Sequence, residues 1–298
     1  MTKQRIDICV CTFQRNHLAR TLESLRGIDR PDNVDVRVIV ADNDTEPSAK
    51  TIIDAMDDFP FPVFYIHAPA QNISIARNAC LDATDADYVA WIDDDEIVDP
   101  SWLKQIFHTL RNGGYDAVFG PAIAVYPPDA PDHIVSGDFH SNRPVRRQGE
   151  VQTGHTCNAL VDMGKPTTRA KRFDVCKGRT GGEDTDYFHR LWKEGAHLGI
   201  DENAFVFEDV VPDRMRSGWL MLRSFGSGHV FGELSRRDAA FWTLPGLVVM
   251  ALVKAVYCLI CAILTIGFAT LRLWWLRRSI MHFGVTAGLI RLNPRTRY

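Results

Sequence analysis

The chain has 298 residues, 46% hydrophobic and 24% charged, enough to bury one large core or two smaller ones. Its net charge of −3 argues against a nucleic-acid-coating protein. Seven cysteines, an odd number without scaffold spacing, argue against a disulfide-stapled secreted domain and read as reduced, mostly buried thiols.

The opening segment, Met1 to Asp7, lacks the apolar core of a secretory signal, which predicts a cytoplasmic catalytic part. Ile6 to Cys11 predicts a first strand with Cys9 and Cys11 on one face, followed by the loop Thr12-Phe13-Gln14-Arg15. Leu18, Leu22 and Leu25 share one face of a helix that Gly27 closes. Val34 to Val40 predicts a second strand, ending in Ala41-Asp42-Asn43-Asp44. A helix after Pro47, a short strand near Val63–Ile66 and a helix from Ser74 to Asp82 come next. Tyr88 to Ile92 is a strand that runs into Asp93-Asp94-Asp95-Glu96, and a helix follows from Ser101 to Leu110. This alternation predicts an α/β fold, a mainly parallel sheet with helices on both faces.

Four successive carboxylates at a strand's end repel one another unless a cation is present. Open α/β sheets place ligands at the carboxyl ends of their strands. Hard divalent ions take oxygen ligands, often one or two carboxylates plus substrate phosphates, so this stretch points to a metal–diphosphate site. A solvated acidic turn is the plain alternative. No Gly-x-Gly-x-x-Gly follows the first strand and no Gly-Lys-Ser/Thr loop occurs, which disfavours a dinucleotide dehydrogenase and a P-loop enzyme.

Residues 120–150, rich in Pro, Asp and Arg, predict a long loop or short-stranded insertion. Val151 to Leu160 predicts a returning strand, in which His155 faces a ligand or simply hydrogen-bonds within the sheet. Gly181-Gly182-Glu183-Asp184 opens a helix that Gly195 stops. Acids in a first turn stabilise a helix by themselves. Two glycines before them also permit close backbone approach by a ligand, and a carboxylate there is a candidate general base. Ala204 to Glu208 predicts a strand. Arg214, Arg216 and Arg223 flank Trp219 on a helix ending at Phe225-Gly226-Ser227-Gly228, placed either to meet a diphosphate or to form a solvated face.

From Leu244 to Leu271 the chain is apolar apart from Lys254, and no acid follows Asp238. Arg272, Arg277, Arg278, Arg291, Arg295 and Arg297 make the end basic, with Trp274 and Trp275 as interfacial anchors. Arg236 and Arg237 make the other flank basic too, so an in-plane or re-entrant segment with both ends cytosolic is favoured over a single span. A buried soluble helical pair is the remaining alternative. The expected division is a catalytic domain over 1–240 and a membrane-associated tail over 241–298.

Five stretches taken together resemble glycosyltransferase family 2, whose members have the GT-A fold. They are Ile8 to Arg15, Val38 to Asn43, Gln71 to Asn78, Ile92 to Asp95 and Gly182 to Asp184, in matching order over roughly residues 5–225. The apolar, basic tail is similar to that of bacterial exopolysaccharide enzymes of the succinoglycan glucosyltransferase type. The resemblance implies that Thr12, Phe13 and Arg15 border a uracil and ribose, that Asp42 bonds the base and that Arg77 helps hold the nucleotide. It implies that Asp93 contacts the ribose side, that Asp95 or its neighbour Asp94 binds Mg²⁺ or Mn²⁺, that Asp184 is the base and that Glu183 lies near the acceptor. The implied reaction is inverting transfer of a sugar, with glucose the expected one, from a UDP-sugar to a lipid-linked saccharide at the cytoplasmic face of a bacterial inner membrane. A nucleotidyltransferase would also use clustered acids and a metal, but the Thr12–Arg15 loop lacks its glycines. A non-catalytic nucleotide-sugar binder would have no need of Asp184.

Overall fold

The computed structural model describes residues 3–14, 17–56 and 58–292. The elements run β1 (Gln4–Thr12), α1 (Leu18–Leu25), β2 (Val34–Asp42), α2 (Lys50–Asp54), β3 (Val63–His67), α3 (Ile73–Ala83), β4 (Tyr88–Asp93), β5 (Glu96–Val98), α4 (Trp102–Gly113) and β6 (Ala117–Phe119). They continue with β7 (Ala122–Val125), α5 (Asp132–Val135), β8 (Asn158–Asp162), α6 (Pro166–Ala170), α7 (Glu183–Lys193), β9 (Leu198–Ile200), β10 (Val206–Asp209), α8 (Ser217–Asp238), α9 (Leu244–Leu264) and α10 (Ala269–Leu289). By compactness the chain forms two units, one of residues up to 124, 141–179 and 183–209, the other of 125–140, 180–182 and 210 onward.

In the first unit the seven-stranded sheet has the order β3-β2-β1-β4-β8-β6-β9. β1, β2, β3 and β4 pair in parallel, as does β6 with β9, while β8 lies antiparallel to β4 and β6. Alternation sends Ile6, Ile8 and Val10 to one face and Cys9 and Cys11 to the other. On the first face Leu18, Leu22 and Leu25 of α1 and Trp102, Ile106 and Leu110 of α4 close the core. On the second, Ala76 and Cys80 of α3 and Tyr187, Phe188 and Leu191 of α7 do so. Each large side chain fully buried there contributes about 1.5–3 kcal/mol. The mainly parallel sheet covered on both faces is the fold class expected from the sequence.

One strand boundary in this unit differs from the sequence-based expectation. The strand expected over Val151–Leu160 is confined to Asn158–Asp162. Residues 151–155 have no regular structure, and Gly154 among them lies against the Phe119 ring, where a side chain would collide. The 120–150 insertion holds the short β7 and α5.

In the second unit, α8 does not stop at Phe225-Gly226-Ser227-Gly228 but runs on to Asp238. Those glycines are contact points, not breakers. A Cβ at Gly228 would strike the Met281 carbonyl, and one at Gly232 the Val285 carbonyl. Across the seam, Cβ atoms at Gly284 and Gly288 would strike the Phe225 and His229 carbonyls. Backbone therefore lies on backbone between α8 and α10, a gain that offsets the roughly 1 kcal/mol cost of each helical glycine. The apolar Leu244–Leu271 run is divided between two helices: α9 ends at Leu264 and α10 begins at Ala269. Ala251, Ala255, Cys258 and Ala262 form the buried stripe of α9, and Ser279 Oγ of α10 donates to the Ala255 carbonyl at 2.9 Å. Arg295 and Arg297 lie outside the described residues.

Candidate active site

Parallel register brings three strand ends together. Thr12 pairs with Asp42, and Cys11 with Asp93. Thr12 Oγ1 donates to Asp94 Oδ2 at 2.6 Å, and Thr21 Oγ1 donates to the Asp94 carbonyl at 2.9 Å. Asp94 is thus turned inward and buried, bracing the acidic turn against β1 and α1. Asp42 is fully buried; its oxygens accept from the Asp44 and Ala49 amides at 3.1 and 2.8 Å and from the Tyr65 hydroxyl at 3.0 Å. Phe13 is half-buried. Gln14, at φ 52°, donates from Nε2 to Asp44 Oδ1 at 3.0 Å. Arg15 lies outside the described residues.

Asp93 ends β4, Asp94 and Asp95 form the turn, and Glu96 starts β5. Glu96 stands directly opposite Glu208 of β10 in the antiparallel register. Like charges in that position destabilise a sheet. Glu96 Oε2 accepts from the Asp93 amide at 2.7 Å, whereas Oε1 is buried with no hydrogen-bond partner. Burial first, then Asp93, Glu208 and Asp95, push the Glu96 carboxyl well up. Asp93, although 45% of its side chain still meets solvent, is pushed up to about 7, chiefly by the desolvating atoms around it, with Arg77 opposing and Asp95, Asp94 and Glu208 adding. Glu208 went unnoticed in the sequence, where it only ends an expected strand. Its relation to Glu96 exists only through strand pairing.

The α3 helix carries the link to the second acidic pair. Asn72 caps it, accepting from the Ser74 and Ile75 amides at 3.1 and 3.3 Å, while Asn43 Oδ1 accepts from the Asn72 amide at 3.0 Å. This anchors α3 to the end of β2 and fixes Arg77 on its buried side. Arg77 stacks over Phe173, its guanidinium carbon 5.5 Å from the ring centroid. It forms an ion pair with Glu183 Oε1 and lies 3.8 Å from Asp93 Oδ1. Burial pulls its pKa down, but Glu183, Asp93 and Asp184 outweigh that and hold it charged. Acids 90 residues apart in sequence therefore converge on one guanidinium.

Gly181 and Gly182 have φ of 87° and 85°, values that side chains rarely adopt, and α7 begins at the next residue. Glu183 is buried; burial raises its pKa against the pull of Arg77, and its Oε2 has no hydrogen-bond partner. Asp184 Oδ1 accepts from the Thr185 amide at 2.6 Å, and Oδ2 lies 3.0 Å from His155 Nδ1. Burial would raise the Asp184 carboxyl, but His155 and Arg77 overcome it and hold the group well below the usual range. Thr153 Oγ1, donating to the Thr185 carbonyl at 2.8 Å, ties the His155 loop to α7. The imidazole therefore faces the acidic site from a loop, not from within a strand.

Among the described residues, no group of three or more His, Cys, Asp or Glu side chains is disposed to hold a metal. The donors near the turn are all carboxylate oxygens, one of them the orphaned Glu96 Oε1, and their mutual repulsion favours a cation. That chemistry suits a hard divalent ion that takes few protein ligands and completes its shell from phosphates.

Residues 7–165 match the sequence profile of Glycosyl transferase family 2. The chain is 40% identical to the succinoglycan biosynthesis protein ExoM of Rhizobium meliloti (strain 1021) over 294 residues, covering 98% of this chain and 95% of that one. Among solved structures it is similar to the mannosyltransferase PcManGT from Pyrobaculum calidifontis in complex with GDP-Man and Mn²⁺, with a TM-score of 0.62, 17% identity, and 97% and 88% of the two chains covered. It is also similar to S. aureus TarS 1–349 in complex with UDP, with a TM-score of 0.55, 12% identity, and 98% and 93% covered. A longer TarS structure is matched over 55% of its length. At these identities the structural likeness shows a shared GT-A fold.

Proposed function

The chain belongs to glycosyl transferase family 2, and from that premise we propose that it moves a sugar, with glucose the expected one, from a UDP-sugar to a hydroxyl of a lipid-linked saccharide in exopolysaccharide synthesis. The observation that carries this reading is the Arg77 guanidinium held between Asp93 and Glu183, one residue from Asp184. A donor-side acid and a base-side acid are thereby fixed to the same group. The nucleoside falls to Thr12, Phe13 and Arg15, with Asp42 and Asp93 at the neighbouring strand ends.

Asp95, with Asp93 beside it, would hold Mg²⁺ or Mn²⁺. When bound, the ion would neutralise charge on the departing diphosphate. Asp94, braced by Thr12, orients the turn. Asp184, kept ionised by His155 and Arg77, accepts the proton of the acceptor hydroxyl as its oxygen bonds to the anomeric carbon. The bond from that carbon to the β-phosphate oxygen breaks, UDP leaves with the electron pair, and the centre inverts. We assign Glu183 and Arg77, both buried, to positioning Asp184 and Asp93 rather than to contact with sugar. The apolar, basic tail holds the enzyme at the cytoplasmic face of the inner membrane, raising the effective concentration of a lipid-borne acceptor.

The test incubates the detergent-solubilised full chain with candidate UDP-sugars, Mg²⁺ or Mn²⁺ and lipid-linked saccharide. UDP release with a lipid-extractable, inverted product is expected. Pyrophosphate release would indicate nucleotidyl transfer. Donor binding without any turnover would indicate a sensor.

A further inference from the structure

Within the second unit, α10 lies between α8 and α9. Four glycines join it to α8, and the Ser279–Ala255 hydrogen bond and the small-residue stripe of α9 join it on the other side. Opposite that stripe, Val249, Val253, Val256, Ile260, Ile263 and Leu264 are all more than half exposed. Large apolar side chains are also exposed at both ends of α9, with Phe241 and Trp242 at 82% and 81% and Ile266 and Phe268 at 68% and 71%. An apolar surface this continuous marks an interaction site.

The helix at 241–264 is long and apolar enough to cross a bilayer. Three features argue that it does not. Lys254 is the eleventh of the 21 residues of α9, so a span would set its charge at the bilayer midplane. The glycine seam fastens α10 to α8, and Arg277 Nε of α10 donates to Ser224 Oγ of α8 at 3.2 Å, next to Arg223, so α9 cannot enter hydrocarbon as a bundle without drawing these two cations in. The apolar groups at both ends of α9 also suit a helix whose whole length meets one plane.

The charges supply the partner. Lys254 precedes Ala255, on the flank of α9 that adjoins α10, and Ser279, bonded to Ala255, follows Arg278. Arg278 stacks on Trp274 with its guanidinium carbon 4.7 Å from the ring centroid. Burial, then Lys254, then Arg278 push the His282 imidazole down, as expected for cations gathered on this side of the pair. Neither α9 nor α10 carries a carboxylate.

Building on the membrane reading of the tail, we propose that α9 lies in the plane of an anionic bilayer, its outer face among acyl chains, while Lys254 and Arg278 contact lipid phosphates. The partner is a phospholipid surface bearing net negative charge. Binding comes from apolar burial plus headgroup attraction and weakens with salt.

The test has two arms. The full chain is floated with vesicles of phosphatidylcholine alone or with 30% phosphatidylglycerol. Strong, salt-sensitive binding to the anionic vesicles is expected. The doubly substituted Lys254→Gln/Arg278→Gln protein, folded by circular dichroism, should bind them roughly 25-fold more weakly, about 5-fold per charge removed. Equal binding to both vesicles, or an unaffected double variant, overturns headgroup recognition while leaving the membrane reading intact. In the second arm, Phe241→Cys and Phe268→Cys are exposed in spheroplasts to an impermeant maleimide. Neither should be labelled from outside, and labelling of either end alone would show that α9 crosses. Absence of binding to every vesicle overturns this proposal and the membrane reading together, whereas the glycosyl-transfer reading stands or falls on UDP release.

Discussion

His155 Nδ1 sits 3.0 Å from Asp184 Oδ2, joining a loop to the first turn of α7. Asp184→Asn should keep the fold and lower kcat by about 10²–10⁴-fold, the usual contribution of a general base. His155→Gln should act differently. His155 helps hold the Asp184 carboxyl down, so its loss lets that pKa rise. The Asp184 carboxyl, followed by carboxyl-carbon NMR, should then titrate at higher pH, with the rate at pH 8 little changed. An Asp184 titration that stays in place in His155→Gln would remove His155 from any electrostatic role.

Arg77 and Glu183 are each 8% exposed in their side chains, so breaking the pair strands a buried charge. Arg77→Met should cost about 3–5 kcal/mol in chemical denaturation. Adding Glu183→Gln should recover much of that loss, giving a favourable coupling in the double-mutant cycle. Equal losses that simply add would mean the two groups do not act as a pair.

Metal and nucleotide should bind together. At the proposed site UDP alone would meet a cluster of mutually repelling acids, so its thermal shift should be small. UDP at 100 times its Kd with Mn²⁺ present should raise Tm by roughly 5–10 °C. Asp95→Asn should remove most of the metal-dependent part. Chelator should abolish transfer in the wild type, and added Mg²⁺ or Mn²⁺ should restore it.

The pH dependence of stability has a definite sign. Asp93 is raised to about 7 from an unfolded value near 4, so the folded state binds more protons between those limits. Its charging therefore weakens the metal-free fold as pH rises from about 4 to 7. Because 45% of the side chain is exposed, solvent screens much of the effect. Asp93→Asn should then stabilise the metal-free protein at pH 7.5 by about 1 kcal/mol, roughly 2–4 °C in Tm, and by almost nothing at pH 4.5. A gain of the same size at both pH values would rule out this titration as its source.

Much of the sheet was legible because β1, β2 and β4 are short β-rich runs ending in polar turns, signals confined to neighbouring residues. The Asp93–Asp95 turn and the Glu183–Asp184 helix start were legible for the same reason. What the sequence did not disclose depends on pairing between distant segments. Glu208 matters because it faces Glu96 across two strands. Asp94 turns inward because Thr12 and Thr21 bond it. The glycines of α8 looked like a helix end because a glycine's role as a contact point appears only when its partner helix is known.

Cys9, Cys11 and Cys80 are sealed in the core, where burial helps raise each thiol's pKa, and Cys157 is raised as well. Cys176 alone among the seven is exposed, on a loop whose neighbour Val175 accepts a hydrogen bond at 2.9 Å from the Asn72 cap of α3. A brief, stoichiometric alkylation should therefore tag this one position without engineered cysteines. A fluorophore attached there would sit on the segment that anchors the Arg77 helix, giving an optical report of donor binding from the native chain.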